Sequence, residues 1–179
     1  QMGIETYMLT PDKDYGQLIS DNVMMYRPRH GGGYDIIGSK EIEEKYGVKT
    51  PEQVKDLLAL MGDKADNFPG CPGVGEKTAA KLINEFGSVE ELINRSSEVK
   101  GKLREKIEAA VDDIKMSKFL ATIRTDVPVD LNLDELKVVE PNPDKLTKLF
   151  NELEFKSLLD KFLNKGEKKQ KSSNAQLSL

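Results

Sequence analysis

Cysteine, histidine and long apolar runs are all scarce in this sequence. Its one cysteine, Cys71, excludes an internal disulfide framework and any thiolate-based zinc site, and is expected as a small residue inside a turn. The one histidine, His30, stands in the loop-like stretch RPRHGGG with no second imidazole or thiol to share an ion, so it reads as a solvated loop residue. No apolar run approaches the ~18 residues that span a bilayer, and no charged-apolar-small leader opens the chain. The expectation is a cytoplasmic protein with no membrane contact. An excess of positive charge is missing as well: 27 Lys and Arg face 31 Asp and Glu, a net charge of −4, whereas nucleic-acid-binding domains are often basic.

Local charge is less even than the average. Lys100, Lys102, Arg104 and Lys106 cluster in one segment, and Lys161, Lys165, Lys168, Lys169 and Lys171 gather near the end against Glu167 alone. A basic stripe suffices to follow phosphates while acids elsewhere hold metal ions; a solvated helix face and a polar tail are the plainer reading of the same residues. With 37% hydrophobic residues over 179 positions, a core of ordinary size is available.

Periodicity divides the chain. TYMLT, ending at Pro11, predicts a short buried strand, Tyr15 to Ser20 a short helix, Val23 to Tyr26 a second strand, and GGGYDIIG a turn into a further extended piece. Beyond that the pattern is helical throughout. Val54, Leu57, Leu58 and Met61 are spaced as one face of a helix with Thr50 as N-cap and Pro51 in its first turn. Ala79, Leu82, Ile83 and Phe86 repeat that spacing before Gly87, as do Leu146, Leu149, Phe150 and Leu153. Leu103, Ile107, Val111 and Ile114 predict one longer helix. These stripes read as core. The opening 60 residues are too few to cover both faces of a parallel sheet, so they read as part of a larger α/β unit, and the polar ending from 164 to 179 reads as a Lys-rich linker or tail.

The stretch FPGCPGVGEKTAAKL, Phe68 to Leu82, is built for a phosphate or for a plain turn. A P-loop needs lysine directly after its last glycine; here Glu76 separates Gly75 from Lys77 and Thr78, and DKADN precedes the loop instead of a buried strand. A nucleotide pocket is therefore excluded. As a helix-hairpin-helix, Gly73 and Gly75 allow positive φ and close approach of the backbone to an anion, and the free amides from Gly75 to Thr78 lie at a helix N-terminus that favours a phosphate. Such a clamp grips backbone and reads no bases. A plain interhelical turn remains open on these residues alone.

Two acidic pairs accompany it. Asp12 and Asp14 are two apart after a strand, which points both side chains one way; Asp63 and Asp66 are three apart, which on a helical turn also shares a face. Hard divalent ions take such oxygen ligands, and two ions can hydrolyse a phosphodiester. Asp12 is equally a helix cap, and DKADN an ordinary turn.

In order, LTPDKDYGQLIS, EKYGVKTPEQVKDLLALMGDKADNFPGCPGVGEKTAAKLINEFGSVEELI and LNELEFKSLL resemble the 5′→3′ exonuclease (flap endonuclease) domain at the N-terminus of bacterial DNA polymerases I. The resemblance runs to about Leu163, and GDKADNFPGCPGVGEKTA is its most specific part. It implies an α+β, mostly α fold: residues 1–60 as the later part of an α/β PIN-like nuclease core, and residues 61–163 as a helix-three-turn-helix, SAM-domain-like module that grips duplex DNA. It implies Mg²⁺ or Mn²⁺ held by Asp12, Asp14, Asp63 and Asp66, a backbone clamp of Gly73, Val74, Gly75, Lys77 and Thr78, and a potassium ion at the hairpin carbonyls. The partners it implies are duplex DNA with a nick, flap or 5′ end and the rest of a polymerase chain, in DNA repair and replication. The family's first strand, its further metal-binding carboxylates and its arch are not in this sequence. The chain is therefore expected to carry half a metal site, to cleave DNA negligibly by itself, and to leave TYMLT without one neighbour. Two other readings stand beside it: a non-catalytic helix-hairpin-helix DNA-binding protein and a stand-alone 5′-nuclease.

Overall fold

The computed structural model describes residues 3–162; the expected tail, with Lys165, Lys168, Lys169 and Lys171, lies outside them. The chain divides into two compact units, Gln1–Val127 and Pro128–Leu179.

The first unit opens with three strands, β1 (Thr6–Leu9), β2 (Val23–Pro28) and β3 (Tyr34–Ile37), in the order β1-β2-β3. β1 runs parallel to β2, with Tyr7 opposite Met24 and Leu9 opposite Tyr26, and β2 is antiparallel to β3, with Tyr26 opposite Ile36. Alternation puts Met25 and Ile37 on the buried face and Tyr7, Tyr26 and Tyr34 on the other. There the Tyr26 and Tyr34 rings stack at 4.4 Å, with Tyr7 edge-on to Tyr26 at 6.1 Å. The reading of TYMLT as a buried strand is corrected: Tyr7 and Leu9 are exposed and only Met8 packs against the core, because among the described residues β1 is an edge strand paired with β2 alone. The short helix predicted from Tyr15 to Ser20 is a 3-10 helix that starts two residues earlier, over Lys13–Leu18, capped by Asp12.

α-Helices follow: α1 (Ser39–Tyr46), α2 (Val54–Met61), α3 (Glu76–Phe86), α4 (Val89–Asn94), α5 (Lys102–Ala109), α6 (Val111–Ala121) and, in the second unit, α7 (Pro143–Glu152), with a further helical stretch over residues 156–162. Thr50 takes the N-cap position with extended backbone, but its hydroxyl makes no capping bond; instead its N–H, like that of Lys49, donates to Gln53 Oε1. α2 is more than one-sided. Val54, Leu57, Leu58, Ala59 and Leu60 are all fully buried, so the helix is the axis around which α3, α4 and α6 pack. α3 buries Ala79, Leu82, Ile83 and Phe86 and ends at Gly87, as its spacing predicts.

Two expectations fail here. The single helix predicted through Leu103 and Ile114 breaks at Ala110, whose φ of −105° and ψ of 15° close α5 with a forked bond to the carbonyls of Lys106 and Ile107. Ile107 and Ile114, on either side of the break, are both fully buried. Residues 122–142 hold no helix; Pro128 and Pro141, which lack a backbone donor, oppose one at its ends. In the second unit Asn142 caps α7 through Lys145 N–H at 2.9 Å, yet no α7 residue is buried, so its apolar stripe is not core. Its Phe150 ring meets Phe155 and Phe162 at 6.4 Å.

A buried charge knits the first unit's helices together. Asp56, on α2, accepts from the Val89 N–H at 3.0 Å and from Lys118 Nζ at 2.7 Å, and Lys118 also reaches Glu90 Oε2 at 2.6 Å. Burial alone lowers the Lys118 ammonium's pKa, but these two carboxylates outweigh it and raise the value. Asp56→Ala removes one partner of a desolvated pair, so unfolding free energy falls by about 3 kcal/mol, measured by equilibrium denaturation in guanidinium chloride.

Candidate metal centre and nucleic-acid interface

The site is built on the segment joining α2 to α3. α2 stops at Gly62, with φ 71° and ψ 174°, a conformation that favours glycine. The chain then closes a tight loop in which Asp63 and Phe68 exchange two backbone hydrogen bonds at 3.0 Å. On its return it crosses the end of α2 with backbone against backbone. A Cβ on Gly62 would lie 2.5 Å from the Pro69 carbonyl oxygen, and one on Gly70, itself at φ 62°, would lie 2.8 Å from the Leu60 carbonyl oxygen. The crossing is pinned by the Cys71 N–H to Leu60 O at 2.7 Å and by the Gly70 N–H to Ser117 Oγ at 2.9 Å. Ser117 is fully buried on α6.

That loop brings Asp63 and Asp66 to Asp14. One carboxylate oxygen from each of the three lies within 4.8 Å of the others. Asp63 and Asp66 meet across a turn and not along a helix, since α2 has already ended. Asp12 stays outside the group; its Oδ1 accepts the Asp14 N–H at 3.0 Å, which is a capping role. The 3-10 helix that begins at Lys13 ends the extended backbone, which Asp12 still keeps, on which the Asp12 and Asp14 side chains were expected to run parallel.

Electrostatics mark the group as short of a cation. Burial first, then the Asp12 and Asp66 charges, push the Asp14 carboxyl up from 3.8 to about 6, and its Oδ1 is buried without a hydrogen-bond partner. For Asp63, burial acts upward, but contact with the Lys13 ammonium and the Ala65 N–H together hold it below the usual value. An oxygen-only donor set with one unsatisfied buried carboxylate oxygen fits a hard divalent ion.

The hairpin lies directly beyond Gly70. Cys71 and Val74 are buried, and the Val74 N–H is committed to Cys71 O at 3.0 Å; Val74 therefore anchors the turn instead of facing outward. Burial pushes the Cys71 thiol up, which makes it inert packing. Gly73 has φ 78°, as the hairpin reading requires. Gly75 does not: it is the N-cap of α3 at φ −99° and ψ 176° with no side-chain capping bond, and a Cβ there would meet nothing within 4 Å. The N–H groups of Glu76, Lys77 and Thr78 precede the first intrahelical donor, Ala79 N–H to Gly75 O at 2.9 Å, and so point outward without helical partners. Lys77 is exposed beside them and Thr78 half-buried.

Of the basic residues, Arg104 is neutralised by Glu108 at 2.7 Å, while Lys100, Lys102 and Lys161 are exposed. His30 is exposed in the β2–β3 loop. The sequence reading missed Lys13 and Ser117. Ser117 was within reach, because its place three after Ile114 and four before Ala121 puts it on the buried face of α6. Lys13 carried no such signal.

The folded Asp14 carboxyl, at about 6, holds its proton more tightly than the unfolded value of 3.8. Its contribution to stability is thus favourable below about pH 4 and is lost as pH rises through 6. Asp14→Asn accordingly raises the melting temperature in chelator above pH 6 and gives no gain below pH 4, read from thermal unfolding across pH.

Residues 49–144 match the family model described as 5′-3′ exonuclease, C-terminal SAM fold. The chain is 45% identical over 160 residues to the thermostable DNA polymerase I of Thermus aquaticus, covering 89% of this chain and 18% of that protein. It is 42% identical over 161 residues to DNA polymerase I of Bacillus subtilis (strain 168), again covering 89% and 18%. It spans about a fifth of the length of these curated relatives. A bacteriophage T5 flap endonuclease, solved as a pseudo-enzyme-product complex with DNA and metal ions, superposes with a TM-score of 0.57 at 25% identity, over 64% of this chain and 42% of that one. With a buried-glycine crossing, an acidic group and an uncapped hairpin helix all inside or beside the matched region, the chain belongs to the 5′-3′ exonuclease family, of which it carries the C-terminal SAM fold.

Proposed function

We propose that this chain is the duplex-gripping part of a 5′-3′ exonuclease or flap endonuclease domain of a DNA polymerase I, and that it contributes carboxylates to divalent-metal hydrolysis of phosphodiesters at 5′ ends or flaps. The observation that carries the reading is the placement of the Asp14, Asp63 and Asp66 group and the uncapped amides of α3 on the two sides of one backbone crossing. Phosphate held by the hairpin and phosphate presented to the acids would then belong to one duplex at a fixed spacing. That the T5 relative was solved with DNA and metal ions supports it.

In this reading Asp14, Asp63 and Asp66 hold Mg²⁺ or Mn²⁺, which when bound supplies Lewis-acid polarisation of the phosphodiester. Asp12 orients Asp14 by capping the turn that carries it, and Lys13 balances Asp63. At the hairpin, Val74 anchors the turn from inside. Gly73 supplies the positive φ of the turn and Gly75 leaves the backbone unobstructed, the amides of residues 76–78 donate to a non-bridging phosphate oxygen, Lys77 and Thr78 flank them, and the hairpin carbonyls would be the ligands of a potassium ion. Residues 1–60 complete a nuclease core, 61–163 form the duplex-binding module and 164–179 lead into the rest of a polymerase chain in the cytoplasm, serving repair and replication.

Two outcomes test this. Fluorescence anisotropy with nicked duplex shows binding whose logarithmic salt slope steepens by about 0.9 per phosphate engaged, and Gly75→Val weakens binding to all sequences alike without lowering the melting temperature, since its Cβ enters open space. Base-selective loss in that variant contradicts a backbone clamp. The 179-residue chain with Mn²⁺ leaves a 5′-flap substrate essentially uncut, because three clustered carboxylates are too few to hold the two ions of an in-line displacement; multiple-turnover cleavage contradicts this.

A further inference from the structure

We propose that Lys106, on α5, is a tertiary arm of the duplex clamp: its ammonium docks against Gly73 and shares the backbone phosphate with the α3 amides. The inference rests on the clamp reading above and names a residue outside the hairpin on which that clamp depends.

Three observations converge on it. A Cβ built on Gly73 would lie 2.6 Å from Lys106 Nζ and 3.8 Å from its Cε, so the ammonium fills the space that any side chain at position 73 would take. Glycine is needed there twice over, for φ 78° and for this approach. Next, no carboxylate among the described residues forms an ion pair with Lys106, although Lys13, Lys55, Lys118 and Lys137 each have one and Arg104 on the same helix is held by Glu108. Finally, Gly73 stands two residues before Gly75, the N-cap of α3, so the docked ammonium lies on the hairpin that leads into a helix N-terminus, the end of a helix that disfavours cations and favours anions. Glu76 in the first turn is the acid of that helix start, and a bound anion there would add to the pull on the ammonium. An exposed ammonium held against a hairpin backbone, unneutralised and next to outward amides, is suited to a phosphodiester oxygen, and duplex backbone is the source of that oxygen.

The test is the salt dependence of nicked-duplex binding by the whole chain and by Lys106→Met, which keeps the side chain's length and removes its charge. Lys40→Met, on α1, is the control for net charge. The logarithmic slope becomes shallower by about 0.9 in Lys106→Met and stays at the wild-type value in Lys40→Met, with melting temperatures unchanged in both. Gly73→Ala, which displaces the ammonium, loses the same increment, and adding it to Lys106→Met loses no further slope. Wild-type slope in Lys106→Met, or additive losses in the double variant, overturns the role of Lys106 and leaves the clamp standing. Failure of the wild-type chain to bind nicked duplex at low salt overturns the clamp itself.

Discussion

Gly62 and Gly70 let two stretches of backbone cross at a distance no side chain tolerates, and most of what the first unit offers a substrate follows from that crossing. On one side it ends α2 and turns Asp63 and Asp66 toward Asp14. On the other it delivers the chain into the hairpin and the uncapped start of α3. The crossing is not held by the glycines alone. Ser117 supplies the acceptor for a buried Gly70 N–H, and leaving such a donor unpaired costs about 1–3 kcal/mol. α6 is therefore part of the site's foundation although it carries none of its charge.

The electrostatics of the two faces are opposite and each is unfinished. Three carboxylates share a small volume with only Lys13 to offset them, and one buried oxygen has no donor. At the hairpin, the outward amides of residues 76–78 lie at the uncapped start of α3, with Lys77 exposed beside them and Glu76 the acid of the first turn. A chain of net charge −4 can thus present a cation-seeking group and an anion-seeking group side by side, which is what a phosphodiester bridged to a metal ion requires. The average charge hid this because the paired residues, such as Arg104 with Glu108 and Arg95 with Glu98, contribute to the count but not to either face.

Much of this was legible in the sequence where the determinant is local. The stripe from Ala79 to Phe86 closed by Gly87 and the positive φ of Gly73 depend on neighbours a few positions away, whereas Gly75 takes an ordinary φ and Asp63 and Asp66 meet across a turn in place of the helical turn expected. Elements whose fate depends on distant partners were not legible. The apolar spacing from Leu103 to Ile114 runs unbroken across Ala110, itself a strong helix former, so only the backbone of Ala110 in the folded chain reveals the break. Asp56 looks like a surface residue until Lys118 and Val89 are seen beside it. TYMLT has the composition of a buried strand, but among the described residues only Met8 packs against the core while Tyr7 and Leu9 are exposed, and no residue of the α7 stripe is buried. Asp12 and Asp14 were indistinguishable by type, and the turn after Pro11 separated them.

The measurement that bears most directly on the metal centre is calorimetric titration of Mn²⁺ into the wild-type chain and into the Asp63→Asn, Asp66→Asn double variant at neutral pH. The geometry predicts saturable binding in the wild type that the double variant loses entirely. Binding of equal strength in both proteins, or none in either, would contradict the assignment of Asp14, Asp63 and Asp66 as a divalent-ion site.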